Sequence, residues 1–260
     1  MRLYFRYVTI LFRSQMQYRA SFWLMTTGQF LVPFTLFAGM YLLFARFGQI
    51  RGWTFYEAAL VFAVIGLASA ISECFARGFD SFSVLVAGGD FDRLLVRPRA
   101  TVLQVLGSNF EFTRFGRLAQ NLTVLVWTLS RLPIDWNAGR IVTLAFMIGG
   151  GTFIFTGIYM LAATLSFWTI QGLEVANIFT DGGREMAQYP LNIYQRWVTI
   201  FFTFVIPFGC VNYLPLLYLL GRVHDHPLLY MLLPLAGALF LLPCLLVWRF
   251  GVRHYCSTGS

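Results

Sequence analysis

Few side chains in this 260-residue sequence could do chemistry, and their spacing limits what that chemistry would be. His224-Asp225-His226 places two imidazoles two residues apart. On an extended segment such a pair can ligate a metal, but no third ligand accompanies it, and solvated loop histidines are the plainer reading. Glu73 is an ionisable group at the end of an apolar run, where charge is expensive and marks either function or a structural pair. Arg77, four residues on, supplies an i,i+4 partner, and this pairing is favoured over a substrate contact. Glu111 with Arg114 reads as a second couple, and Glu174 as the polar end of a helix. No Gly-x-x-x-x-Gly-Lys-Ser/Thr phosphate loop occurs. Gly149-Gly150-Gly151-Thr152 lies inside an apolar run without Lys and reads as a close helix-packing patch. Cys74, Cys210, Cys244 and Cys256 show no paired spacing and read as small apolar residues, not as a disulfide or zinc framework. No catalytic residue and no metal site is assigned.

The elements that must position these groups follow from composition. Hydrophobic residues make up 58% of the chain and charged residues 12%, about half the charged share of a soluble domain, so a water-soluble globule is excluded. Long uncharged runs mark six candidate membrane spans: 20–45, 58–72, 118–130, 141–173, 197–221 and 227–248. The second and third are short, so Glu57, Arg117 and Arg131 must sit at the membrane interfaces. With the N-terminus inside, fourteen Arg fall on inner segments, Arg184 and Arg196 among them, and five on outer ones: Arg46, Arg51, Arg131, Arg140 and Arg222. That bias obeys the positive-inside rule and puts both termini in the cytoplasm. The net charge of +8 rests on 19 Arg and no Lys. There is no basic stripe on a soluble module, so nucleic acid is not an expected partner; membrane lipids are.

Residues 1–20 do not read as a signal peptide, because basic residues are spread through them. Arg2, Arg6, Thr9, Arg13 and Gln17 recur every three or four positions, which fits an amphipathic helix in the inner head-group layer. An ordinary basic flank that sets topology is the alternative.

The largest inner loop lies between spans two and three. Gly88-Gly89 forms a joint, Asp90 and Asp92 suit a helix start, and Arg97-Pro98 ends that short helix. Pro98 can then open the next helix. Leu94 and Leu95 are there to insert, and Arg93, Arg97 and Arg99 to pair. A rigid protrusion for a cytosolic motor and a solvated interfacial loop are equally good readings of these residues. Asp181-Gly182-Gly183-Arg184-Glu185 reads as an inner turn between spans four and five.

The stretch Gly89-Asp90-Phe91-Asp92-Arg93-Leu94-Leu95-Val96-Arg97-Pro98 resembles the G-x-x-D-x-x-L-x-R-P pattern of ABC-2-type transporter permeases. Gln188 to Tyr194 and Val205 to Pro215 are similar to the Y-P-hydrophobic-x-I-Y and I-P-x-x-x-x-N-Y-x-P segments of its small six-span branch, the viologen-exporter-like proteins. The resemblance implies an all-α polytopic membrane protein in one domain, 1–260. It has six transmembrane helices, an N-terminal amphipathic elbow helix (1–20; Arg2, Arg6, Arg13), a cytosolic coupling loop (77–104) and outer re-entrant helices (207–228; Pro207, Asn212, Tyr213, Pro215). Asp90 to Val96, closed by Arg97 and Pro98, would be the coupling helix against the ATPase. A kinked, fully spanning helix is the alternative for Pro207 and Pro215.

The function so implied is the permease subunit of an ATP-binding-cassette exporter in the plasma membrane. ATP and Mg would be held by a separate cytosolic ATPase, with no cofactor in this chain. A second, non-identical six-span permease would complete the path. An intramembrane lipid-modifying enzyme or a passive scaffold is the alternative. The first would need a His, Asp, Glu or Ser constellation that the sequence does not offer.

Overall fold

A computed structural model describes residues 2–169, 178–223 and 225–256. Glu174 and His224 lie outside the described residues. The described elements are all helical; the single β-bridge pairs Ile50 with Trp53. Four stretches are long and apolar enough to cross a membrane: Val8–Phe47, Phe55–Phe75, Ala138–Leu165 and Pro227–Arg253. The pair Arg196–Phe204 and Gly209–Leu219 makes a fifth if the two are taken as one span, and they meet at 85°.

The first stretch takes in the second half of α1 (Arg2–Gln15) with α2 (Arg19–Leu31) and α3 (Pro33–Phe47). At 1.5 Å per residue its 40 residues measure about 60 Å, twice the hydrocarbon core, so one end must lie outside it. Most of its surface is open, which suits lipid contact; Phe22, Pro33, Met40 and Phe44 are its buried residues.

Helix α4 (Phe55–Phe75) is the centre of the molecule, and nearly every residue from Glu57 to Cys74 is buried. Thr54 and Glu57 form a capping box that satisfies its first backbone N–H groups. Ala76 leaves helical geometry (φ −117°) and stops it, so α5 (Arg77–Asp80) starts a new direction. Helix α9 (Phe115–Leu129) packs along α4, with Asn121 against Gly66. Its 15 residues reach only about 22 Å, less than a bilayer core, so the expected third span is short by this measure.

Helix α10 (Ala138–Leu165) lies between α4 and the last long helix (Ala236–Arg253). The glycine patch makes this possible. A Cβ on Gly150 would overlap the Pro234 carbonyl, one on Gly237 would overlap the Gly150 carbonyl, and one on Gly151 would press on Ala68. Gly149 faces open space. Cys74 and Cys244 are buried in this core.

Between α10 and the last helix lie α11 (Gly183–Ala187), α12 (Arg196–Phe204), α13 (Leu214–Leu219) and α14 (Pro227–Leu232). The last long helix is thus α15. The fifth run, read from sequence as one uncharged span, breaks at 205–208. Pro207, which has no N–H to donate, sits in the break; Pro215 opens α13, where the missing N–H costs least.

Candidate functional site

The loop between α4 and α9 folds into a compact knob. It comprises α5, α6 (Phe82–Ala87), α7 (Asp90–Leu95) and α8 (Thr101–Leu106). Gly89 takes φ +69°, the left-handed turn that lets α7 reverse against α6. Asp90 and Asp92 occupy the first turn of α7, and Arg93 reaches back to Asp90 at 3.1 Å. Phe91 is fully buried, edge-on to Phe82 and Tyr255 at 4.9 and 5.1 Å and beside Phe167. Gln104 Nε2 donates to the carbonyls of Leu94 (3.1 Å) and Arg99 (3.0 Å), tying the end of α7 to α8. Trp248 Nε1 donates to Thr101 Oγ1 at 3.2 Å, fastening the knob to α15.

What remains free is a tip. Val96 is 85% exposed and Leu95 38%; Arg93, Arg97, Pro98 and Arg99 are exposed around them. The sequence pairs Leu94 with Leu95, but the structure separates them: Leu94 turns in toward the core and Leu95 out. Helix α8 begins at Thr101, so Pro98 lies in the preceding turn and does not open the helix. The role of Phe91 as the anchor carries no local signal in the sequence, because it depends on Phe167, Trp248 and Tyr255 far away in the chain, and Gln104 ties α7 to α8 only because the chain turns between them.

Helix α1 meets the other end of this loop. Gln15 Nε2 donates to the Phe110 carbonyl at 2.5 Å, and Gln15 Oε1 accepts from the Phe112 N–H at 3.2 Å. Phe12 stands edge-on to Phe112 at 5.1 Å, and Val8, Leu11 and Met16 pack beside Phe110. Arg6 and Arg13 are exposed. Arg2 opens the helix.

A buried charge node lies behind the knob. Glu73, 4% exposed, receives Arg117 at 2.7 Å, Arg184 at 2.9 Å and Arg114 at 3.3 Å. The expected Glu73–Arg77 couple is not the one formed. Because α4 stops at Ala76, Arg77 is not one turn further along it; Arg77 pairs with Asp80 and, at 3.0 Å, with Glu111. Glu111 and Arg114 do pair, at 3.3 Å, and Asp181 meets Arg184 at 3.0 Å. A carboxylate taken out of water must be compensated, and three guanidinia do so here. Burial raises the Asp80 carboxyl above its ordinary 3.8, against the pull of Arg77. The three-residue spacing of Glu111, Arg114 and Arg117 leading into α9 is a sequence signal for this node beside Glu73 itself.

The opposite end of α4 holds a second cluster. Arg222 reaches Glu57 at 2.6 Å and lies over the Trp53 ring at 4.6 Å. Trp53 Nε1 donates to Asn192 Oδ1 at 2.8 Å, and Arg51 to the Asn192 carbonyl at 3.0 Å. One arginine of the inner count is displaced: Arg196 follows Asn192, which lies at the Trp53 end. Arg184 sits at the Glu73 end of α4 and Asn192 at the Trp53 end, with Tyr189 packed between them against the α4 cluster. The stretch 184–192 therefore runs along α4, and the turn read over 181–185 lies at its Glu73 end. Residues 178–182 form a π-turn leading into α11, and the expected turn 181–185 straddles the two.

Pro207 and Pro215 are buried, Asn212 donates to the Ala187 carbonyl at 3.3 Å, and Tyr213 lies 6.1 Å from Trp53. These four residues pack inward, around the bend. Beside the break lies an apolar cavity of about 260 Å³, lined by Ile158, Leu165, Phe179, Phe201, Ile206 and Phe240 among others.

A family model described as ABC-2 family transporter protein matches residues 30–259. No curated protein and no solved structure matches the chain. The match takes in the knob, the glycine-packed helices and the broken fifth run together. The chain belongs to the ABC-2 transporter family and is a multi-pass transmembrane permease of the ABC type.

Proposed function

We propose that this permease is one membrane subunit of an exporter whose ATP, with its Mg, is hydrolysed on a separate cytosolic ATPase. The ATPase docks on the α7 knob: Asp90 to Val96 with Arg97 and Pro98. The observation that carries this reading is the contrast within six residues, Phe91 fully buried and Val96 85% exposed. A tip that must transmit force needs a rigid root, and four aromatic neighbours supply one. The ring of Arg around Leu95 and Val96 gives the contact orientation.

In this reading α9, lengthened by its flanking turns, and the stretch 184–192 beside α4 bring the four long spans to six crossings, the bent run begins and ends at the Trp53 side, and both termini lie in the cytoplasm of the plasma membrane. Arg2, Arg6 and Arg13 place α1 at the inner lipid head groups as the elbow. The bent segment through Pro207, Asn212, Tyr213 and Pro215 borders the path. A second, non-identical permease, as the resemblance to the small six-span branch implies, supplies its other wall.

The test is co-expression with a candidate phosphate-loop ATPase from the same genome. Leu95→Asp with Val96→Asp should abolish co-purification while the permease stays monodisperse in detergent. Retained binding of the double variant sinks the docking assignment.

A further inference from the structure

The buried node at Glu73 does more than neutralise one carboxylate. Four arginines and four carboxylates form one connected, charge-balanced chain: Asp80–Arg77–Glu111–Arg114–Glu73–Arg184–Asp181, with Arg117 also on Glu73. Its two ends belong to different parts of the molecule. Asp80 and Arg77 form α5, whose Gly78 lies so close to the Val105 carbonyl of α8 that a Cβ would overlap it, and α8 in turn holds α7 through Gln104. Arg184 and Asp181 belong to the lead-in to the broken fifth run, and α11 is tied to that run where Asn212 donates to the Ala187 carbonyl.

We infer that Glu73 is a positioning residue for transport, the joint through which displacement of the knob reaches the lead-in to the broken run. This rests on the reading of the knob as the ATPase contact. Glu73 is suited to the role because, among the described residues, it alone touches arginines from the loop end (Arg114), from α9 (Arg117) and from α11 (Arg184). Moving the loop end changes which arginines can satisfy it, and a 4% exposed carboxylate cannot be left short of partners without cost. The two ends of the chain thus share one buried charge, and neither shifts independently of the other.

The claim is a coupling, so the experiment measures one in the purified chain without any ATPase. Hydrogen exchange is followed at the amides of Gly183–Ala187. Arg77→Gln leaves Arg114 on both Glu111 and Glu73, and touches no atom of α11. It should speed exchange at α11 about fivefold, the size expected between members of one ion-pair network. In an Arg184→Gln background, Arg77→Gln should add nothing there. Amides of Ile154–Ile158 in α10 should not change, which separates coupling from general loosening. Exchange altered only near residue 77, or additive effects of the two substitutions, overturns the joint. Either result leaves the docking of an ATPase on Leu95 and Val96 to its own test.

Discussion

Glu57 and Glu73 lie near opposite ends of α4, and each holds an arginine that borders the broken fifth run: Arg222 at 2.6 Å and Arg184 at 2.9 Å. The most buried helix of the permease therefore clasps the least regular one at both ends. α4 is buried on all sides and cannot itself move far without unpacking the core. The run between the two arginines, broken at Pro207, is the freer part.

The clasp at the Trp53 end separates cleanly from the helix cap. Glu57→Gln keeps a side-chain acceptor for the Thr54 N–H, since glutamine also serves in a capping box, but removes the charge that Arg222 needs. Thermal unfolding in detergent should fall by the equivalent of about 1–2 kcal/mol, less than for a fully buried pair because Arg222 is partly exposed. Glu57→Ala loses the cap as well and should cost about 1 kcal/mol more.

The three consecutive glycines of α10 should respond unequally. Gly149→Ala faces open space and should leave the melting temperature unchanged or slightly raised, since alanine favours helix. Gly150→Val and Gly237→Val must push α10 and the Pro234–Gly237 segment apart, and should yield aggregated protein on size-exclusion chromatography.

The knob should lose rigidity when its anchor is cut. Phe91→Ala removes a fully buried ring and should cost about 3–5 kcal/mol locally, loosening the backbone so that trypsin cuts after Arg93 and Arg99 at a faster rate. Val96→Ala, at an exposed site, should leave the digestion rate as it is.

The pH dependence of Asp80 has a defined sign. Its carboxyl titrates above 3.8 in the folded chain because burial outweighs the attraction of Arg77. The folded state therefore binds this proton more tightly. Its contribution to stability is full below the unfolded value and is lost as pH rises through the folded one. Asp80→Asn should melt no lower than the parent chain at about pH 8, and the advantage of the asparagine should vanish at about pH 4. A variant that melts much lower at pH 8 would show that the Arg77 pair outweighs the burial.

The sequence by itself determined what depends on a residue's near neighbours. Uncharged runs between charged residues must be helical in a membrane, because no water is there to satisfy the backbone, and α4, α10 and α15 follow. Gly89 before Asp90 set the joint and start of α7, and Pro207 set the break in the fifth run. The glycines at 150 and 151 announced close packing, but not that Pro234 and Ala68 would be the surfaces met. Only the tertiary structure decided the partners of Glu73. Sequence distance proposed Arg77, but the stop at Ala76 turned Arg77 away, and burial drew in Arg114, Arg117 and Arg184 from as far as 111 residues along the chain. It decided too that Leu94 faces inward while Leu95 faces out, and that 184–192 runs beside α4 from its Glu73 end to its Trp53 end. Periodicity and backbone satisfaction act within a few residues, whereas a buried charge or ring is satisfied by whatever the packed helices bring to it.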